Sequence, residues 1–142
     1  MLILFLQLIL SPAAPAAQPT LVGHWVFFEK VYDGQEMPEP PTATLRMHFE
    51  FTAGGESRLY WWHEGDTDHC SRRGRYSVDG NTLVDEVTWV DPQNTRDCSD
   101  DPDMQPGRRT RTPFYFRGDN LAIRFQLDGS SLDMVWKKVE EK

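Results

Sequence analysis

Apolar and polar residues alternate with a period of two along most of the chain after residue 20, and no sustained helical stripe interrupts them. The clearest run places Leu45, Met47, Phe49 and Phe51 on one face of a strand and polar residues on the other. Eight such runs predict eight β-strands, at about residues 24–32, 44–52, 57–64, 70–78, 82–90, 109–117, 121–127 and 131–139.

Short turn sequences separate several of these runs. Glycine and asparagine supply the positive φ that tight hairpins need, and they occur in the segments 53–55, 79–81, 118–120 and 128–130. Sequential strands joined by hairpins predict an all-β, up-and-down antiparallel barrel of eight strands, which closes without exposed edges. A β-sandwich is the alternative fold.

The connections differ in length according to the end of the predicted barrel at which they lie. Alternate loops of an up-and-down barrel lie at the same end, so the tight turns at 53–56, 79–81 and 118–120 share the end where the first strand begins. The Pro-rich segment 33–43 and the segments 65–69 and 91–108 share the opposite rim, together with the turn at 128–130. Because loops on a rigid scaffold carry function, this elaborate rim is the predicted mouth of any cavity.

The first residues of the chain are typical of an export signal. An apolar block at residues 1–10 precedes small residues that end in an Ala-x-Ala-like site, which predicts a signal peptide over residues 1–17 and one barrel domain over 18–142. The alternative is a buried first strand or helix. A block of ten residues is too short to span a membrane, which needs roughly 20, so we expect an exported protein, periplasmic or secreted, without a permanent membrane anchor.

Charge and cysteine content narrow the choice of partners and compartment. The 142 residues carry a formal net charge of −7, with 15 basic against 22 acidic residues, which argues against nucleic acid as a partner. The two cysteines, Cys70 and Cys98, form an even number behind an export signal, so we expect one disulfide. Two buried thiols or a metal pair are the alternatives.

Several short motifs resemble the bacterial lipocalin-like domains of the calycin group, and together they span most of residues 21–139. The resemblance rests on Leu-Val-Gly-His-Trp at 21–25, Tyr-Asp-Gly at 32–34, and the segments 49–55, 74–83 and 134–139. It implies that Trp25, placed after Gly23, plugs the closed end of the barrel. It also implies that Lys137 or Lys138, at the end of the last strand, lies over the Trp25 indole as a cation–π partner.

The resemblance also implies that the barrel binds a small hydrophobic or amphipathic ligand. We expect Trp61, Tyr76, Trp89 and Phe114 to line the pocket, because their strand positions predict that they point inward. An eight-stranded barrel can instead be filled by its own side chains. The alternative function is then a packed interaction module that presents its acidic rim loops to a protein or envelope partner.

The sequence contains no recognisable catalytic motif and one group of candidate metal ligands. The chain has no Gly-x-Ser-x-Gly, His-Glu-x-x-His or phosphate-binding glycine motif, so we expect no enzyme activity, with a barrel enzyme as the less favoured alternative. His63, His69 and the neighbouring carboxylates of 63–70 could hold a metal, but solvated loop residues are the simpler interpretation. We therefore predict no metal and no cofactor.

Six arginines form a basic stripe within this acidic chain. We expect its members to lie on neighbouring outer faces and to pair across strands with Asp85 and Glu86. They are Arg72, Arg73, Arg75, Arg108, Arg109 and Arg111.

Overall fold

A computed structural model describes residues 20–37 and 44–140 and contains the predicted antiparallel barrel. The predicted signal peptide and part of the Pro-rich segment lie outside the described residues. The strands are β1 (Gly23–Tyr32), β2 (Gln35–Met37), β3 (Leu45–Phe51), β4 (Glu56–His63), β5 (His69–Asp79), β6 (Thr82–Val90), β7 (Arg109–Arg117), β8 (Asn120–Leu127) and β9 (Ser130–Lys138).

Strands β1 and β3 to β9 form the closed barrel, in which each strand pairs with the next along the chain. The barrel closes where β1 pairs antiparallel with β9, from Trp25 opposite Lys138 to Tyr32 opposite Leu132. Because this pairing closes the eight strands on themselves, the predicted eight-stranded barrel is confirmed. None of the helices in the described residues is long and apolar enough to cross a membrane.

Two predicted loops contain regular structure that the sequence pattern did not indicate. The segment 33–43, expected to be irregular, contains the short strand β2, which extends a hairpin from the end of β1. The segment 91–108 contains a helix, α1 (Arg96–Ser99), and a 3₁₀ helix (Pro102–Met104). All three elements are too short to produce a recognisable hydrophobic period.

The closed end of the barrel is built around Trp25, whose exposed fraction is 1%. Its indole Nε1 donates a hydrogen bond to the Leu21 carbonyl at 2.8 Å, so the chain before β1 folds under the barrel. The Lys138 ammonium lies 5.4 Å from the centre of the Trp25 ring. Lys138 is therefore the cation that lies over Trp25. The ammonium of Lys137 lies over Phe28 on the outer face of the barrel.

The outer face of β3 and β4 carries a stacked group of rings. The His48 ring is nearly parallel to Tyr60 and Trp62, at centroid distances of 5.0 and 5.1 Å. A ring nitrogen of His48 is also hydrogen-bonded to His24 at 2.7 Å, so one imidazole donates and the other accepts. Burial, and secondly the charge of His24, lower the pKa of His48, while Glu50 opposes the shift. Burial and a hydrogen bond to Glu50 raise the pKa of Tyr60 to about 12.

Replacing Gly23 by alanine should destabilise the barrel. Gly23 has a φ of 143°, and a Cβ there would lie 2.6 Å from Cε of Lys138, the residue that covers Trp25. We expect Gly23→Ala to lower the free energy of unfolding by about 1–3 kcal/mol in urea titrations. Gly54→Ala is the matched control, because its φ is not positive and the nearest atom lies 3.8 Å away. Equal stability of the two variants would contradict this account.

The stability of the fold should fall in mildly acidic solution because of His48. A histidine whose folded pKa lies below the usual 6.5 binds its proton more readily in the unfolded chain. The free energy of unfolding should therefore decrease as the pH falls through and below about 6.5. His48→Phe keeps a ring for stacking and removes the titration, so its stability should decrease less over the same range. Parallel pH profiles for the two proteins would show that His48 has no part in the effect.

Candidate functional site

The interior of the barrel holds a cavity of about 320 Å³ that extends to the rim opposite Trp25. Phe49 and Trp136 belong both to its wall and to the buried core, so the cavity lies directly above the packed closed end. Its wall is mainly apolar and is made by Met47, Phe49, Leu59, Trp61, Leu83, Val87, Ile123, Phe125, Met134 and Trp136. Polar residues interrupt this wall at a few positions, and two of them are charged and buried.

The long connection between β6 and β7, residues 91–108, lies over part of the cavity mouth. Its 3₁₀ helix places Met104 inside, with an exposed fraction of 2%, against Cys70, Cys98 and Trp61. The predicted disulfide between Cys70 and Cys98 is confirmed and links this connection to β5, with a Cα–Cα distance of 6.0 Å. A small apolar cluster and a covalent bond therefore hold the rim in place.

Hydrogen bonds attach the same connection to the edge of β5. The Asn94 side chain both donates to the Ser71 carbonyl at 3.0 Å and accepts from the Ser71 amide at 2.7 Å, as a neighbouring strand would. His69 contacts Asp91 at 3.0 Å. The Gln93 amide, and secondly His69, lower the pKa of the Asp91 carboxyl. These contacts continue the pairing with β5 beyond the last residue of β6 and hold the start of the 91–108 connection in place.

A buried ion pair lies in the cavity wall. Arg72 Nη1 donates to Asp85 Oδ2 at 2.8 Å, and the side chains are only 8% and 4% exposed. Ser57 Oγ donates to the other carboxylate oxygen, Oδ1, at 2.6 Å. Because Ser57 and Asp85 stand on β4 and β6, this bond must cross β5. Gly74 makes the crossing possible, since a Cβ there would lie 2.7 Å from the Ser57 hydroxyl and 2.6 Å from the Glu86 carbonyl.

Two hydrogen-bond donors of the cavity wall have no partner. Arg72 Nε and Trp136 Nε1 are both buried and bond to no protein atom in the described part of the chain. The Asp85 carboxylate, in contrast, accepts at both of its oxygens. A buried donor without a partner costs roughly 1–3 kcal/mol.

Of the four residues predicted to line a ligand pocket, Trp61 lies in the cavity wall, close to the rim. Tyr76 and Phe114 also face the interior, but near the closed end. Tyr76 packs edge-on against Phe51 and donates to the Thr52 carbonyl, while Phe114 packs against Phe116. The alternation of apolar and polar residues predicts the inward face of both residues, but it carries no information on their height within the barrel.

The expectation that Trp89 points inward is wrong. Its indole is 40% exposed on the outer face, and the Arg73 guanidinium lies 4.9 Å from its ring centre. A register shift causes this, because Gly74 pairs with Val87 while Arg73 pairs with Trp89, which leaves Thr88 as an extra residue. One extra residue reverses the faces of all that follow in a strand, and the alternation of 83, 85 and 87 therefore ends before Trp89.

The interior ion pair was also missed, since Arg72 was expected on an outer face. The alternation did indicate an inward position for both residues. Arg72 lies on the same face of β5 as Cys70 and Tyr76, and Asp85 lies on the same face of β6 as Leu83 and Val87. The pairing of an arginine with Asp85 was anticipated. Its location was not, because charged residues are rarely buried unless they are paired.

The histidines and carboxylates of the rim have local structural partners. His63 Nδ1 lies 3.1 Å from the Thr44 hydroxyl, and Asp101 accepts from the Asp103 amide to cap the 3₁₀ helix. Arg108 Nε donates to Asp103 at 3.3 Å. Within the described ranges 20–37 and 44–140, no three histidine, cysteine or acidic side chains are placed to hold a metal ion.

Comparison with known proteins identifies the fold. The chain matches no protein-family model and no curated protein. A crystal structure of a lipocalin-like protein from Bacteroides uniformis matches 84% of this chain and 98% of its own, with a TM-score of 0.53 and 16% identity. An uncharacterized protein from Bacteroides eggerthii matches 84% of this chain and 100% of its own, with a TM-score of 0.53 and 15% identity. The lipocalin-like fold indicated by the sequence motifs is therefore confirmed.

Removing the disulfide should destabilise the protein. The linked cysteines are 28 positions apart, and a closed loop of this length restricts the unfolded chain enough to contribute about 3–4 kcal/mol. We expect the double variant Cys70→Ala, Cys98→Ala to lose free energy of unfolding by this amount in denaturant titrations. Reduced wild-type protein is the control and should unfold at nearly the same midpoint as the double variant. A midpoint equal to that of the oxidised protein would contradict the structural role of the bond.

Proposed function

We propose that this lipocalin-like barrel is an exported protein that binds a small hydrophobic or amphipathic ligand in its interior. The observation that carries the proposal is the mainly apolar cavity of about 320 Å³ that reaches the rim. Ligand sites are usually concave and largely apolar, with few polar groups, and they range over roughly 300–1,000 Å³. The size of this cavity lies at the lower end of that range and favours a small ligand.

The hollow interior favours ligand binding over an interaction module with a filled barrel. A barrel of eight strands has an interior that its side chains can fill, yet here the packed residues are concentrated around Trp25 and Phe51. The cavity begins above them and is partly covered by Met104. A covered apolar cavity suits a ligand that is removed from water.

The buried carboxylate of the cavity wall, Asp85, has a structural role, because Ser57 donates to one of its oxygens and Arg72 to the other. The proposal of export rests on the predicted leader at 1–17 and on the disulfide, because such bonds persist in oxidising compartments. The acidic chain, with a net charge of −7, does not favour nucleic acid as a partner.

Tryptophan fluorescence provides a test of the site. Trp61 and Trp136 lie in the cavity wall and Trp89 on the outer face, so a ligand in the cavity should change the emission of the first two and not of the third. We expect titration with medium-chain alkyl and small aromatic compounds to give a saturable change in emission, with native mass spectrometry showing one bound molecule.

Matched variants assign the signal to its position. Trp61→Phe should lose part of the amplitude and keep the part that comes from Trp136, whereas Trp89→Phe should keep the full change and the same midpoint. The proposal would be wrong if no compound of the panel bound, or if the signal disappeared with Trp89→Phe instead.

A further inference from the structure

The mouth of the cavity has a covered side and an uncovered side, and this difference deepens the function proposed above and rests on it. The covered side lies over β4 and β5, where Met104 of the 91–108 connection packs against Trp61 and Cys70. The disulfide to Cys98 fastens this connection to β5. A molecule that entered on the covered side would have to displace a buried methionine from a covalently closed loop.

The uncovered side of the mouth is formed by β8, β9 and β1. In the order of strands around the barrel, β6 and β7 separate β5 from β8 in one direction, and β1 and β3 separate β9 from β4 in the other. The pair β8 and β9 therefore lies across the barrel from the pair β4 and β5. The connection that covers the mouth is fastened to the far side from this arc.

Apolar side chains continue from the cavity wall to the solvent on the uncovered side. Ile123 and Phe125 line the cavity, and Leu127 follows on the same face at the last residue of β8. Leu132 of β9 stands opposite Phe125, and Tyr32 of β1 stands opposite Leu132. Tyr32, Phe125 and Leu127 are 43%, 36% and 48% exposed. We call Tyr32, Phe125, Leu127 and Leu132 the apolar lip.

The apolar lip is continuous with the interior, because Phe125 belongs both to the cavity wall and to the exposed surface. Exposed apolar surface often marks a place where another molecule makes contact. A hydrophobic molecule that crosses the lip keeps apolar neighbours as it leaves the water. On the covered side it would instead meet Asp101, Asp103 and Arg108, which border the cavity there.

We infer that the ligand enters and leaves the barrel across the apolar lip, on the side of the mouth that the 91–108 connection does not cover. Tyr32 and Leu127 are not among the described residues that form the cavity wall, so they contact the ligand only in transit. Residues of this kind set the rates of binding and release. Since they do not contact the bound ligand, both rate constants change by the same factor and the Kd stays constant.

Stopped-flow fluorescence with 1-aminoanthracene, an uncharged probe whose emission rises in apolar surroundings, measures both rate constants. An uncharged probe is chosen because Ser130, opposite Leu127, and Lys30, on the same face as Tyr32, add polar groups to this arc. We expect Leu127→Asn to lower the association and dissociation rate constants by about three- to tenfold each, with a Kd within about twofold of the wild type, because apolar contact is lost in transit.

Three further variants assign the effect to the apolar lip. Val78→Asn is the matched control, because Val78 is 49% exposed, as Leu127 nearly is, and lies near the end of β5 beside the turn at the closed end. Its rate constants should equal those of the wild type. Leu127→Met keeps an apolar side chain and should also retain the wild-type rates, whereas Tyr32→Asn should slow both steps.

The outcomes separate the route from the proposed function. Wild-type rate constants for Leu127→Asn and Tyr32→Asn would overturn the inference and leave ligand binding intact, as would equal slowing by Val78→Asn. A Kd changed through dissociation alone would place Leu127 in the bound site and would equally overturn it. Circular dichroism checks folding, and Tyr32→Asn decides the matter if Leu127→Asn is unfolded. Failure of 1-aminoanthracene and of the alkyl and aromatic compounds named above to bind would overturn both.

Discussion

The antiparallel pairing of β1 with β9 determines the architecture of the barrel. This pairing converts a meander into a closed surface, so each strand has one face that meets only other strands of the same sheet. The closed sheet removes unpaired edges and leaves the interior as the place where Trp25, Phe49 and Trp136 can be buried together. The cavity exists because these residues fill one end of the enclosed space and not the other.

Much of this fold could be predicted from the sequence because a closed, one-layer sheet obeys a simple alternation. The eight strands and the division into a plain end and an elaborate rim followed from parity and turn residues, and the disulfide followed from the even number of cysteines behind the predicted export signal. The residues whose positions were not predicted are those where the alternation of inward and outward side chains is interrupted, or where a charged residue faces inward. Thr88 is an extra residue in β6, and it turns Trp89 to the outer face. This reversal depends on the backbone pairing of two strands, which the amino-acid composition does not reveal.

The interior polar group shows a different limit of sequence reasoning. Arg72 and Asp85 had inward parity, but a charged residue is interpreted as exposed unless its partner is known. The partner becomes evident only when β5 and β6 are aligned, and Ser57 joins the pair only because Gly74 lacks a side chain between them. A cavity also depends on the space left between side chains from several strands, which no single strand encodes.

The cysteine pair has a consequence for the order in which the protein can be assembled. Cys70 and Cys98 are only 28 positions apart and belong to the middle of the chain. The bond that holds the connection over the mouth can therefore form without β8 and β9. β1 pairs with β9, the last strand of the barrel along the chain, so one edge of β1 stays unpaired until β9 has been made. During synthesis, this unpaired edge of β1 is thus open to wrong pairing.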